Sequence, residues 1–103
     1  MEISFNPIHS IEKAFHLLFK NDAELSQQFD NFFDPIIRVA DPKFADFQAN
    51  GILPLAKKNH LNPVQLANDI CKKLTDSQTI DFDLFEISVA GPGFINFKLK
   101  ANY

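Results

Sequence analysis

A chain of 103 residues has the size of one domain, and with 46% hydrophobic and 22% charged residues it is too apolar for a disordered tail. The net charge of −3 argues against a freestanding nucleic-acid binder, because sequence-independent contact with phosphates needs Lys and Arg. One cysteine, Cys71, excludes an internal disulfide and no Cys or His pair has zinc spacing, so a reduced, cytoplasmic setting without a structural metal is expected.

The N-terminus, Met1 to Phe5, lacks the basic start and apolar run of a signal peptide, and no apolar stretch approaches the ~20 residues that span a bilayer. A soluble domain is expected, with neither a membrane nor DNA as partner. Twelve Phe against one Tyr and no Trp place most aromatic rings in the core, since Phe has no polar end. Charge is unevenly spread. Residues 1–42 carry seven acids and three bases, residues 43–74 two acids and five bases, and residues 75–103 four acids and two bases. A modest basic region in the middle of an acidic domain suits a contact that takes most of its affinity from a neighbouring domain.

Asn6-Pro7 predicts a helix start, with Asn capping free amides and Pro preset for the first turn. Ile8, Ile11, Phe15 and Leu18 follow at helical spacing. Asp22 is a second possible cap, after which Leu25, Phe29 and Phe32 or Phe33 continue the pattern to Asp34-Pro35, so the first third is one broken helix or two. Pro35 to Val39 and Phe44 to Asn50 read as strands around an Asp41-Pro42 turn. Gly51 to Lys58 predicts a short helix closed by Asn59, and Asn62-Pro63 opens an amphipathic helix marked by Leu66, Ala67, Ile70, Cys71 and Leu74. Thr75 to Asp83 is polar and acidic and suits a loop.

Two alternating strands follow, parted by Gly91-Pro92-Gly93. Phe85, Ile87 and Val89 share one face of the first; Ile95, Phe97 and Leu99 share one face of the second. Alternation then sets Phe94 on the polar face with Asn96, Lys98 and Lys100. One reading is a base platform, with Phe94 stacking on an unpaired nucleobase, Asn96 hydrogen-bonding its edge and the lysines meeting phosphates. The other has Phe94 packed under the Gly-Pro-Gly turn. Lys57-Lys58 similarly either meets RNA or only complements the dipole at a helix end. Gly91-Pro92-Gly93 is explained as a hairpin turn more simply than as an anion nest.

Little points to catalysis: no Ser is linked by motif to a His, Cys71 falls on an apolar helix face, and Asp46, Asp81 and Asp83 suit capping or solvated carboxylates better than an acid–base pair. A binding module outranks an enzyme.

Two segments resemble a known family. Lys43-Phe44-Ala45-Asp46-Phe47-Gln48-Ala49-Asn50-Gly51, followed by Leu55-Ala56-Lys57-Lys58, resembles the Phe-Gly-Asp-Tyr-Gln-x-Asn segment of arginyl-tRNA synthetases of bacterial type. Glu86-Ile87-Ser88-Val89-Ala90-Gly91-Pro92-Gly93-Phe94-Ile95-Asn96-Phe97 resembles the Val-Ala-Gly-Pro-Gly-Phe-Ile-Asn segment near the end of the same N-terminal domain. The likeness covers residues 36–100 and the first third in outline; Ala45 and Phe47 stand where the family has Gly and Tyr.

The resemblance implies a single α+β domain over residues 1–103, helices against a small antiparallel sheet of about four strands, that contacts the D-loop corner of arginine transfer RNA. By the same resemblance Phe94 and Asn96 meet a D-loop nucleotide, while Phe44, Phe47 and Gln48 look more like structural residues that brace the sheet, with Gln48 and Asn50 as second-line RNA contacts; Lys57, Lys58 and Lys98 are candidate RNA contacts from their charge and position alone. The His-Ile-Gly-His-like and Lys-Met-Ser-Lys-like signatures of a class I synthetase are absent from these residues, so this domain needs no cofactor, and ATP, magnesium and arginine belong to the catalytic domain of the intact ligase. The competing expectation is a domain that docks on a protein, chiefly that catalytic body, without RNA affinity of its own.

Overall fold

A computed structural model describes residues 6–29, 34–41, 43, 45–77 and 85–100. These form helices α1 (Pro7–Asn21), α2 (Ala23–Gln28), α3 (Ile52–Lys58) and α4 (Pro63–Ser77) and strands β1 (Ile37–Val39), β2 (Phe47–Ala49), β3 (Phe85–Ala90) and β4 (Phe94–Leu99). The sheet is antiparallel throughout, in the order β1-β2-β4-β3, which is the expected α+β class.

Local sequence accounts for the helix limits. The Asn6 side chain accepts a bond from the His9 amide at 3.2 Å, and α1 then buries Ile11, Ala14, Phe15, Leu18 and Phe19. At Asp22 the backbone turns extended (ψ 124°), and its carboxylate caps α2 by accepting from the Leu25 amide at 3.0 Å. The helical first third is therefore two helices; Phe32 and Phe33 lie outside the described residues. Asn62 caps α4 by accepting from the Gln65 amide at 3.0 Å, and α4 buries Leu66, Ala67, Ile70 and Leu74.

The loop expected from Thr75 begins later, because α4 runs on to Ser77. Thr75 Oγ1 donates to the Cys71 carbonyl at 2.9 Å and Ser77 Oγ to the Lys73 carbonyl at 2.6 Å, so these polar side chains bond back to the helix itself. Residues 78–83 of that expected loop lie outside the described residues.

Strands β1 and β2 are shorter than their patterns suggest. Ile36 sits at φ 49° with its amide bonded to the Asp34 carboxylate, so the chain turns sharply before β1 can begin. At the start of β2, Asp46 turns its amide and its carboxylate to β4: the amide donates to the Phe97 carbonyl at 3.0 Å and the carboxylate accepts from the Leu99 amide at 2.7 Å, while its carbonyl accepts from the Ala40 amide at 3.0 Å. Phe44 lies outside the described residues.

Helices α1 and α4 pack against the sheet, and the core closes around Phe97, which has no exposed surface. Its ring meets Phe15 edge-on at 5.9 Å and Phe85 at 6.2 Å, arrangements each worth about 0.5–1.5 kcal/mol beyond burial. No helix among the described residues is long and apolar enough to cross a membrane.

Candidate nucleic-acid interface

The polar face of the sheet, opposite the core, carries Arg38, Glu86, Ser88 and Lys98 exposed to solvent. Strand register sets its layout. Arg38 lies opposite Gln48, Gln48 opposite Asn96, and Asn96 opposite Ser88, so one polar row crosses all four strands. Directly paired residues of an antiparallel sheet share a face, which puts these four side chains side by side.

Gly91 (φ 54°) and Gly93 (φ 116°) supply the left-handed backbone of the β3–β4 turn, and the Gly93 amide donates back to Ala90. The segment is thus a hairpin turn. A Cβ on Gly93 would lie 2.7 Å from the Pro63 carbonyl oxygen, so the turn is seated on the start of α4. A Cβ on Gly91 would lie 3.6 Å from the Phe94 ring, which places that ring beside the turn. Phe94 is accordingly half-buried, one side toward the turn and the rest lining an open depression of about 430 Å³ with Arg38, Gln48, Asn50 and Asn96.

Asn96 differs from expectation. Alternation predicts it exposed, yet it is only 8% exposed, because β4 is an interior strand and Asn96 is flanked by Gln48 and Ser88 across the sheet and by Phe94 and Lys98 along the strand. Gln48 Nε2 donates to Asn96 Oδ1 at 2.9 Å. That bond occupies one amide oxygen and leaves Asn96 Nδ2 and Gln48 Oε1 without a partner among the described residues. Asn50 Oδ1 is buried and also has no protein partner among them.

A second depression, of about 530 Å³, adjoins the first and is lined by Ser88, Asn96, Lys98, Lys100, Glu86 and Thr75. Asn96 is common to both. The fold thus gathers Phe94, Asn96, Gln48, Asn50 and Lys98 on one face, whereas Lys57 and Lys58 stand exposed in the last turn of α3 and line neither depression. Arg38 and Ser88 join the face without having been singled out by sequence. The cue was available in their alternation, but assigning it required knowing which strands pair.

The other chemical candidates disperse. Asp46 is bonded to the Leu99 amide; Cys71 is half-buried, and burial pushes its thiol upward, away from the reactive thiolate. Asp81 and Asp83 lie outside the described residues. No cluster of three His, Cys, Asp or Glu suited to a metal occurs among the described residues.

The sequence profile described as "Arginyl tRNA synthetase N terminal domain" matches residues 8–99. The chain belongs to this family. Relatives include the arginine–tRNA ligase of Haemophilus ducreyi, 39% identical over 68% of this chain and 12% of that protein, and that of Nostoc, 44% identical over 68% and 11%. The ligase of Prochlorococcus marinus aligns over more, at 31% identity across 87% of this chain and 15% of its own length. Among solved structures, the arginyl-tRNA synthetase of Plasmodium falciparum superposes with a TM-score of 0.59 at 25% identity, covering 99% of this chain and 18% of that one. The chain spans 11–15% of the length of these curated relatives, and its match is to the family's N-terminal domain.

Proposed function

We propose that this domain binds the D-loop corner of arginine transfer RNA and positions it for arginylation by the catalytic domain of an arginine–tRNA ligase. The observation that carries this reading is Phe94, an aromatic ring left half-exposed on a polar sheet face beside the amides of Asn96, Gln48 and Asn50. An unpaired base stacked on the ring gains about 1–3 kcal/mol, and its edge meets amides already held in place by the Gln48–Asn96 bond. Lys98 adds charge at the rim, while Lys57 and Lys58, in the last turn of α3, line neither depression and are not part of this contact. The ATP, magnesium and arginine of the ligase reaction belong to the catalytic domain under this proposal, and the acidic net charge of −3 makes the isolated domain a weak, salt-sensitive binder.

The test is an NMR amide-shift titration with arginine transfer RNA at low salt, comparing the wild type with folded Phe94→Ala and Asn96→Ala variants. Shifts clustered on residues 91–100 and lost in both variants are expected. Absence of shifts at millimolar RNA would overturn the reading in favour of a docking domain.

A further inference from the structure

The depression beside the Phe94 ring is walled by the amides of Gln48, Asn50 and Asn96 and by Arg38. Arg38 is the one cation among the described residues that line it, whereas Lys98 and Lys100 line the neighbouring depression. Distance alone does not separate these cations. By strand register Arg38 stands two strands over and two residues along from Phe94, about 12 Å between backbones, and Lys98 stands four residues along β4, about 14 Å. Surroundings do separate them. Glu86 faces Lys98 in register and answers part of its charge, while Arg38, on the edge strand β1, lies opposite the uncharged Gln48. One acid shares the depression with Arg38: Asp41, whose carboxylate accepts from the Lys43 amide. Neither ion pair found among the described residues includes Arg38, so its guanidinium is unpaired there.

Taking the face as an RNA site, we infer that Arg38 holds the phosphate of the nucleotide whose base stacks on Phe94, and that Lys98 and Lys100 do not. A planar guanidinium with five donors matches two phosphate oxygens at once. A depression of about 430 Å³ lies within the range of small-ligand sites, so the base and phosphate of one nucleotide fit in it together. Stacking by itself makes the site indifferent to the phosphate. Arg38 adds a gain that a nucleoside lacks, and Asp41 opposes it.

Comparing nucleosides with nucleotides isolates that gain. The full chain is titrated by NMR at low salt with the four ribonucleosides and with their 3′- and 5′-monophosphates. The proteins are wild type, Arg38→Gln, Arg38→Lys, Asp41→Asn, Lys98→Gln with Lys100→Gln, and Phe94→Ala. Wild type is expected to bind at least one monophosphate isomer tighter than its nucleoside by about threefold to tenfold, the size of a charge-assisted contact discounted for exposure. Arg38→Gln is expected to abolish the gain without changing nucleoside binding, and Arg38→Lys to keep part of it. Asp41→Asn is expected to enlarge it, since Asn keeps an oxygen for the Lys43 amide, and the double lysine variant to leave it unchanged. A gain that survives Arg38→Gln, or is lost with the two lysines instead, overturns the assignment. Equal weakening of nucleoside and monophosphate by Arg38→Gln overturns it too, by making Arg38 a reader of the base edge. In each of those cases weaker nucleoside binding by Phe94→Ala leaves the RNA site standing, and unchanged binding removes the site as well. If no probe shifts the wild-type spectrum, Arg38 holds no such phosphate and the transfer-RNA titration alone decides the site. Arg38 and Asp41 are exposed, so amide spectra of their free variants report directly that the fold is kept.

Discussion

Gln48 Nε2 donates to Asn96 Oδ1 at 2.9 Å, tying β2 to β4 between residues 48 positions apart and on the face away from the core. The bond fixes the Asn96 amide on an interior strand where its oxygen has little access to water, since the residue is 8% exposed. Gln48→Ala is therefore expected to cost about 1–3 kcal/mol by stranding that oxygen, and to weaken RNA binding even though the Asn96 side chain is intact. Urea unfolding and RNA titration on the same variant check both; unchanged RNA affinity would show that Asn96 needs no such support.

Glycine is required at position 93 for two reasons, its φ of 116° and the 2.7 Å approach a Cβ would make to the Pro63 carbonyl oxygen. At position 91 φ is 54° and a Cβ would find only ordinary contact with the Phe94 ring at 3.6 Å. Gly93→Ala is expected to destabilise by roughly 1–3 kcal/mol or more, and Gly91→Ala by less. Comparing their urea midpoints decides the order.

Removing the Asp46 carboxylate strips a charge-assisted bond from the Leu99 amide, 2.7 Å away at the end of β4. Asp46→Ala is expected to lose about 1.5–3 kcal/mol, and amide exchange at Leu99 is expected to accelerate more than at Ile95. Equal exchange at both positions would show that the carboxylate does not hold this end of the strand.

Asp22 caps α2 and reaches Lys73 of α4 at 3.2 Å. The Leu25 amide chiefly, and then Lys73, hold its carboxyl below the ordinary 3.8 against the opposing effect of burial. Burial works to lower Lys73, but its hydrogen bond and attraction to Asp22 outweigh this and raise it above 10.5. A depressed acid stabilises above its unfolded value and loses that contribution as pH falls through the folded one; a raised base stabilises below its unfolded value and loses that as pH rises through the folded one. The stability gap between wild type and Asp22→Ala is thus expected to be level from about pH 5 to 9, and to shrink below 3.8 and above 10.5. Unfolding curves measured across that range test it.

Much of this architecture was legible in residue order. Asn6, Asp22 and Asn62 cap helices because each is a short polar side chain beside amides that local geometry must satisfy. The strands β3 and β4 follow from alternation around a glycine turn. Less visible was the short β2, since Asp46 looks like any residue of an alternating run until β4 lies beside it. Thr75 and Ser77 misled for a related reason, since their hydroxyls serve a loop and a helix carbonyl equally well.

The face of the site had the same limits. Phe94, Asn96 and Lys98 share a side by the period of a single strand, so the sequence by itself determined that an aromatic, an amide and a cation stand together. It also determined the family, through two motifs lying in order across the segment that the family profile matches. Tertiary structure alone decided that Gln48 reaches Asn96, that Arg38 joins the row, that Asn96 is buried and that Lys57 and Lys58 stand apart. The reason is physical: alternation assigns side chains to the two faces of one strand, while strand order and register, set by how Phe97 and its neighbours fill the core, assign their neighbours across the sheet.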